Sequence, residues 1–292
     1  MNHQPKLCLG TVQFGLPYGV TNQAGQVTEE EVRRILHLAA SSGINMLDTA
    51  QAYGTAESVL GRNWPTDAPR RLISKLPAGT SSERWEKDLL TSMQRLKTSK
   101  LDGFLLHRAS DLLSREGSNL LEWLENLRNR GLVNRIGVSI YEAADLEGLP
   151  LDRIQLVQIP LSIYDQRLIH DGTVAKLKSL GIAVHARSAL LQGLLLHSPQ
   201  SWPDQMSAAF RDHHARWLKH IFKQGLTPLS GALGFLSACI DLEAVLIGVQ
   251  SVNELTEVVH AWNNSKSTSI DESTEWRWHN EMDLDPRCWP SR

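Results

Sequence analysis

Short apolar segments alternate with amphipathic helical patterns along almost the whole chain. Buried parallel strands read as nearly continuous apolar runs, whereas surface helices place apolar residues three and four positions apart. Eight strand–helix units can be counted from a first strand at residues 7–9 to a last strand at residues 244–247. The alternation therefore predicts an α/β fold, a closed (β/α)8 barrel of parallel strands.

The first strand–helix units show this pattern most clearly. Thr28 to Glu31 has the form of a capping box, with Thr28 accepting a hydrogen bond at the start of a helix. Gly43 ends that helix, and a strand follows at residues 44–47. Further strands are predicted at residues 71–74, 101–106, 133–138, 153–159 and 182–185.

An open, doubly wound sheet is the structural alternative. It is disfavoured because no G-x-G-x-x-G motif follows the first strand, where the nucleotide site of that fold would lie. No internal repeat or linker divides the chain, so residues 1–292 are expected to form a single domain. Within it, we predict a long connection over the barrel mouth at residues 186–228 and a C-terminal tail at residues 263–292. The tail carries three tryptophans that should pack on the barrel or border its mouth: Trp276, Trp278 and Trp289.

The bulk composition excludes several classes of protein. The 292 residues carry a formal net charge of -2 without a basic patch, so neither nucleic acid nor a membrane surface is an expected partner. The N-terminus lacks the long apolar run of a signal peptide, and no later run could span a bilayer. The cysteines Cys8, Cys239 and Cys288 form neither a disulfide framework nor a metal knuckle. We expect reduced thiols in a cytoplasmic protein.

His213 and His214, with Asp212 and His220 nearby, are the candidate metal ligands of the chain. Adjacent residues point to different sides of a helix, and no convergent carboxylate is evident. We therefore predict a solvated helical face here and no metal site.

Four ionisable side chains stand near the ends of three successive predicted strands. They are an acid, a phenol, an amine and an imidazole: Asp48, Tyr53, Lys75 and His107. The strands of a closed parallel barrel deliver their last residues to one face, where barrel enzymes build their active sites. We therefore expect these four side chains to converge from positions that are distant in sequence.

Such a group suits proton donation to a carbonyl oxygen. A free phenol has a pKa near ~10, and a lysine ammonium about 4 Å away would favour the phenolate by roughly 4 kcal/mol at an effective dielectric constant of about 20. Burial would oppose this by disfavouring the phenolate. In this interpretation Asp48 keeps Lys75 charged, and Lys75 tunes Tyr53 as an acid. His107 would orient the substrate carbonyl by donating a hydrogen bond, or assist the passage of the proton.

The segment around Asp48 and Tyr53 resembles the aldo-keto reductases. The resemblance is carried by the run GINMLDTAQAYG at residues 43–54, by Glu57, Leu60 and Gly61, by Lys75, and by Leu105-Leu106-His107. It implies a TIM barrel, NADP(H) bound in an extended form across the C-terminal rim, and reversible carbonyl reduction without a metal. It also implies that the four converging residues are the catalytic ones.

The same resemblance assigns residues to the nicotinamide end of the cofactor. Ser139 and Gln158 match positions that hold the carboxamide, although Ile140 replaces an asparagine found there. Arg187 stands where many members of the family stack an aromatic ring on the nicotinamide, and its guanidinium could stack there or contact the pyrophosphate. The segment that resembles the family continues from Arg187 to Gln192 and Gly193.

The adenosine end is assigned in the same way to the start of the last helix. Gln250, Ser251 and Glu254 lie in a segment that resembles the receiver of the adenosine phosphate, and helix N-termini suit anions. Residues 247–255 contain no lysine or arginine, although many members use one for the 2′-phosphate. The resemblance thus implies NADP(H), with NAD(H) as the alternative.

Three functions remain open at this point. The first is an NAD(P)H-dependent reductase of a small-molecule aldehyde or ketone, sugar-derived carbonyl compounds included. The second is a nicotinamide-binding regulatory or scaffold subunit with little turnover, suggested by the unusual residues Ile140 and Arg187. The third is a Schiff-base lyase that uses Lys75, which is disfavoured because Asp48 would keep the amine charged.

Overall fold

Eight parallel strands close into a barrel in the computed structural model, which describes residues 4–265 and 270–289. Each strand pairs with the next in sequence, and the last pairs with the first through Lys6↔Ala244 to Gly10↔Gly248. This confirms the predicted fold, a single-domain TIM barrel. The strands are β1 Lys6–Gly10, β2 Met46–Asp48, β3 Arg71–Leu76, β4 Leu101–Leu106, β5 Val133–Ser139, β6 Leu156–Pro160, β7 Ala183–Arg187 and β8 Ala244–Gly248.

The helices lie mainly between successive strands and cover the barrel. They are α1 Glu29–Ser41, α2 Ala56–Asn63, α3 Trp85–Leu96, α4 Gly117–Asn129, α5 Arg167–His170, α6 Thr173–Ser179, α7 Ala208–Lys223, α8 Pro228–Ala238, α9 Val252–Asn263, α10 Ile270–Ser273 and α11 Glu281–Leu284. None of the helices in the described part of the chain is long and apolar enough to cross a lipid bilayer.

The start of α1 illustrates how local sequence produces these elements. The Thr28 hydroxyl accepts a hydrogen bond from the backbone N–H of Glu31 at 3.4 Å, which satisfies one of the unpaired donors of the first turn. The helix then buries one apolar face against the barrel. Gly43 follows with a φ of 79°, a left-handed conformation that glycine adopts without strain, and turns the chain into β2.

The core has two layers, as expected for a barrel covered by helices. The larger layer lies between the strands and the helices, and the smaller one fills the barrel interior. The interior layer consists of Cys8, Met46, Ile73, Leu105, Leu156, Ala244 and Leu246. A side chain at Gly137 would place its Cβ 1.7 Å from the carbonyl oxygen of Leu156, so β5 and β6 can approach only because this residue is glycine.

The connection between β7 and α8 contains more regular structure than predicted. Residues 186 and 187 complete β7, and Ala208–Lys223 forms the 16-residue helix α7. The prediction of an extended connection over residues 186–228 is therefore wrong for these parts, and irregular chain and short 3-10 turns remain between β7 and α7 and at residues 224–227. Of the tail tryptophans, Trp276 and Trp289 are buried against the barrel and Trp278 is half-buried.

The prediction of a solvated face at His213 and His214 is wrong. His214 is fully buried, its Nδ1 accepts from the hydroxyl of Tyr164 at 2.7 Å, and its Nε2 donates to the carbonyl of His197 at 2.8 Å. His213 donates from Nε2 to the carbonyl of Trp276 at 2.9 Å. The pair is buried because the β7–α7 connection and the tail cover α7. Across the described ranges, no three His, Cys, Asp or Glu residues are grouped so that they could hold a metal ion.

A network of charged side chains closes the end of the barrel at which the strands begin. Arg71 at the start of β3 contacts Asp102 and Glu243, both at 3.0 Å. Arg135 on β5 contacts the same two carboxylates, both at 2.5 Å, and His185 contacts Glu243 at 2.9 Å. Since these residues lie near the N-terminal ends of the strands, the network stabilises the barrel far from the face where the strands end.

Candidate active site

A buried ion pair joins the ends of β2 and β3. The ammonium of Lys75 lies 2.6 Å from Asp48 Oδ1 and also donates to the carbonyl of Thr49 at 3.0 Å. The two charged side chains are only 2% and 4% exposed. Burial alone would lower the pKa of Lys75, but the carboxylate of Asp48 outweighs this effect and raises the pKa above its ordinary value. Lys75 is therefore a charged group at neutral pH, as expected from the sequence.

The second oxygen of Asp48 orients Gln158 on β6. The amide nitrogen of Gln158 donates to Asp48 Oδ2 at 2.5 Å, which turns its carbonyl oxygen away from the carboxylate. This Oε1 atom is buried and has no hydrogen-bond partner within the described residues. Gln158 lines the cavity described below, so its Oε1 atom is free to accept a hydrogen bond from a ligand.

Tyr53 and His107 complete the group of four. The Lys75 ammonium lies 5.3 Å from the centroid of the Tyr53 ring, and the rings of Tyr53 and His107 meet edge to face with centroids 5.9 Å apart. The structure thus brings together all four ionisable residues that the strand ends predicted.

The electrostatics of Tyr53 differ from the sequence-based expectation. Burial raises the pKa of the Tyr53 phenol above its ordinary value, and the opposing attraction of Lys75 is the smaller effect. Tyr53 is therefore a protonated phenol at neutral pH instead of a phenol made more acidic. Burial and the Lys75 cation also lower the pKa of His107 to about 4, so its imidazole is neutral and can donate from only one ring nitrogen.

A cavity of about 350 Å³ extends from this group across the mouth of the barrel. Its size is in the range of sites that hold small molecules and cofactors. The four ionisable residues line one region, and Gln250 and Glu254 at the start of α9 line another. Tyr18, after β1, and Tyr141, after β5, line the cavity as well, although neither was predicted from the sequence. Their positions in loops after barrel strands were the available signal.

Arg187 is held against the end of β5. Its Nε donates to the hydroxyl of Ser139 at 3.3 Å, and its Nη2 donates to the carbonyl of Ile140 at 2.8 Å. The guanidinium carbon lies 4.0 Å from the ring centroid of Tyr141. Arg187 and Ser139, both expected from the sequence to contact a cofactor, are thus neighbours in the wall of the cavity.

Gln192 and Gly193 form a strained turn in the cavity wall. Gln192 has a φ of 54°, and its side-chain oxygen accepts from the backbone N–H of Val20 at 3.1 Å. Gly193 has a φ of 94°, and a Cβ there would lie 2.1 Å from the hydroxyl oxygen of Thr21. The turn is therefore locked to the loop after β1, and the side-chain oxygen of Gln192 is already used.

The start of α9 is closed by carboxylates. Ser251 is the N-cap, and its hydroxyl accepts from the backbone N–H of Glu254 at 3.1 Å. The carboxylate of Glu254 accepts from the backbone N–H of Gln250, and that of Glu31 from the N–H of Val252, both at 2.7 Å. Glu31 comes from α1, where its sequence context predicts only a local capping box.

Two further observations fit a nicotinamide dinucleotide. Gln13 carries a second buried oxygen that has no partner in the described part of the chain, and like Gln158 it lines the cavity. Gly248 lies beside Gln13, where an added Cβ would be 2.6 Å from the amide of the flexible Gln13 side chain, which would have to move aside. The cavity thus offers free hydrogen-bonding groups at separate points, as a long polar ligand requires.

A buried acid–amine pair, a phenol and an imidazole thus lie together at the strand ends of a TIM barrel, and groups of these types can exchange protons with a bound ligand. A sequence model of the Aldo/keto reductase family matches residues 6–280, and the chain belongs to this family. It is an NAD(P)H-dependent oxidoreductase. Membership of the family and the oxidoreductase relatives support carbonyl reduction as its general type of reaction.

Characterised relatives cover most of the chain. It is 27% identical to L-galactose dehydrogenase of Arabidopsis thaliana over 275 residues, which cover 86% of this chain and 83% of the relative. It is 26% identical to 6-dehydroglucose reductase of Novosphingobium aromaticivorans over 261 residues, or 81% and 83% of the two chains. The fold matches the holo form of aldo-keto reductase AKR11C1 from Bacillus halodurans with a TM-score of 0.72 and 21% identity, covering 93% and 90% of the chains.

Proposed function

We propose that the protein reduces an aldehyde or ketone to an alcohol, with Tyr53 as the general acid. The observation that carries this proposal is the position of Lys75, whose ammonium lies 2.6 Å from Asp48 and 5.3 Å from the centroid of the Tyr53 ring, in the wall of a cavity. A protonated phenol beside a fixed cation is suited to giving a proton to an oxygen that becomes negatively charged.

A reduced nicotinamide, when bound in this cavity, would supply the hydride for the carbonyl carbon. Tyr53 donates its phenolic proton to the carbonyl oxygen, and the Lys75 ammonium stabilises the phenolate that remains. Asp48 keeps Lys75 charged and in place. His107, neutral at working pH, donates a hydrogen bond that orients the carbonyl. Tyr53 then regains a proton from water.

The wall of the cavity supports a role for several residues in holding the cofactor. The unpaired oxygen of Gln158 would accept a hydrogen bond from the nicotinamide carboxamide, with Ser139 beside it. Arg187 would contact the nicotinamide ring or the pyrophosphate. Gln192 and Gly193 would form the wall through their backbone. Gln250, Ser251 and Glu254 would lie at the adenosine end.

A sugar-derived carbonyl compound is the proposed class of substrate. The two relatives described above carry names that refer to sugars, L-galactose and 6-dehydroglucose. Tyr18 and Tyr141 line the cavity and could stack on or hydrogen-bond to a polyhydroxylated substrate. A cytoplasmic location stays a prediction from the cysteine pattern.

The alternative, a nicotinamide-binding regulatory or scaffold subunit, has no specific support. Ile140 and Arg187 suggested it, yet Arg187 is engaged in ordered hydrogen bonds. The reductase is therefore preferred.

The proposal is tested with Tyr53→Phe. We expect this variant to lose turnover across a panel of aldehydes, ketones and sugars, by at least about a hundredfold, while still binding cofactor in a tryptophan fluorescence titration. Tyr164→Phe is the matched control, because it also removes a buried phenolic hydroxyl but acts on His214 outside the cavity. Full activity of Tyr53→Phe would refute the proposed role of the phenol.

A further inference from the structure

The start of α9 has an unusual arrangement of negative charge. In barrels of this kind, phosphate groups are frequently bound by the loops after strands 7 and 8, together with a helix N-terminus. Here α9 follows β8, and Gln250 and Glu254 line the cavity that also contains Tyr53 and Gln158. A dinucleotide with its nicotinamide beside Tyr53 would therefore bring its adenosine ribose to this helix start.

The backbone donors that a phosphate would need there are already used. The N–H groups of Gln250 and Val252 donate to the carboxylates of Glu254 and Glu31, both at 2.7 Å. The N–H of Glu254 donates to the hydroxyl of Ser251 at 3.1 Å. A phosphate could bind to the N–H groups of Gln250 and Val252 only by displacing the carboxylates that they already contact.

The local charge also opposes a phosphate. A phosphate monoester carries about −1.5 to −2 charges near pH 7, and residues 247–255 contribute no lysine or arginine. The second oxygen of Glu31 is paired with Arg34 at 2.9 Å, and the Arg34 side chain is 61% exposed. Arg34 thus offsets part of the charge of Glu31, whereas residues 247–255 contain no lysine or arginine that could offset repulsion between a phosphate and Glu254.

The same groups suit a ribose with free hydroxyls. A carboxylate accepts strong hydrogen bonds from hydroxyl groups, and Glu254 is exposed at the edge of the cavity. Gln13, whose Oε1 has no partner among the residues described, lies beside Gly248 in the same loop region. This buried oxygen is a second free group that a ligand hydroxyl could satisfy.

We infer that the enzyme selects NADH over NADPH because Glu31 and Glu254 occupy the place that a 2′-phosphate would take. The inference rests on the proposed function, since it assumes that the cavity holds a nicotinamide dinucleotide. It replaces the expectation of NADP(H) with NAD(H), and assigns Glu254 as an acceptor for a ribose hydroxyl and Glu31 as a group that blocks phosphate.

The test measures binding to the full-length protein without any turnover. Tryptophan fluorescence is titrated with NADH and NADPH at one ionic strength, for the wild type and for Glu31→Gln and Glu254→Gln separately. Each substitution removes one charge and keeps an oxygen that can accept the existing backbone hydrogen bond. Glu257→Gln is the control, because it removes an exposed charge from the same helix outside the cavity wall.

We expect the wild type to bind NADH at least about tenfold more tightly than NADPH, which corresponds to about 1.4 kcal/mol. Each of the two variants should narrow this ratio several-fold, whereas Glu257→Gln should leave it unchanged. The inference would be overturned if the wild type bound NADPH as tightly as NADH or more tightly, or if neither variant changed the ratio of the two affinities. Either result would leave the proposed function intact. Failure to bind either dinucleotide would overturn both the inference and the proposed function.

Discussion

Arg187 lies over the ring of Tyr141, with its guanidinium carbon 4.0 Å from the ring centroid. A second guanidinium, that of Arg287 in the tail, lies 3.7 Å from the same centroid. Both guanidinium groups therefore contact the ring of Tyr141. Asp285 holds Arg287 through contacts as short as 2.6 Å. The tail is thus attached to the cavity wall through one aromatic ring.

Removal of Arg287 should loosen the tail without removing any group from the cavity wall. Cation–π contacts contribute about 0.5–1 kcal/mol at exposed sites, and the ion pair with Asp285 adds to this. We expect Arg287→Ala to increase amide hydrogen exchange several-fold in residues 281–289, as measured by mass spectrometry. His279→Ala, an exposed change in the same tail, should leave exchange there unaltered. Unchanged protection in Arg287→Ala would show that the stack does not hold the tail.

The single variant Lys75→Met should be less stable than the double variant that also lacks the charge of Asp48. Lys75→Met leaves Asp48 as a buried carboxylate without its cation, which typically costs about 3–5 kcal/mol. Adding Asp48→Asn removes that charge, so the double variant should recover part of the loss in the free energy of unfolding, measured with urea. Both should lose activity. If the free-energy losses of the two single variants simply add, the ion pair is not energetically coupled.

The pH dependence of reduction should follow from the two shifted groups. Because reduction needs protonated Tyr53 and burial raises the pKa of this phenol, kcat/KM should fall on the alkaline side only above pH ~10. The pKa of His107 is lowered to about 4, so no inflection should occur near pH ~6.5, the ordinary value for histidine. A substrate that reacts by rate-limiting chemistry is required. An inflection near neutrality that disappears in His107→Gln would contradict the assignment of a neutral imidazole.

Much of the barrel and its group of four residues could be predicted because both depend on local pattern. Periodicity identifies strands and helices, and the end of a parallel strand fixes which face its last residues reach. The convergence of Asp48, Tyr53, Lys75 and His107 follows from that geometry alone.

The features that were not predicted correctly share a different cause, since each depends on contacts between segments that are distant in sequence. His214 is buried because His197 and the tail cover α7, which no pattern inside the helix reveals. Glu31 has the sequence context of a capping box, yet its carboxylate bonds to Val252 on another helix. The direction in which the pKa of Tyr53 shifts depends on how deeply the phenol is buried, and the sequence does not reveal this.

The charged network at the other end of the barrel should make stability sensitive to acid through Glu243. Burial disfavours its ionised form, but hydrogen bonds from His185 and Arg135 hold the pKa of Glu243 well below its ordinary value. A carboxyl group whose pKa is lower in the folded state stabilises above its unfolded value of about 4.3, and this stabilisation is lost as the pH falls toward the folded value.

Glu243→Gln should therefore lower the free energy of unfolding at pH ~7 by about 1–2 kcal/mol, because Arg71 and Arg135 then share only Asp102. The variant should also lose less stability than the wild type between pH ~5 and pH ~3, as measured by urea denaturation at each pH. Glu125→Gln breaks the more exposed pair with Arg153 and should change stability by less than about 1 kcal/mol. Parallel acid profiles for the wild type and Glu243→Gln would mean that Glu243 titrates alike in the folded and unfolded states.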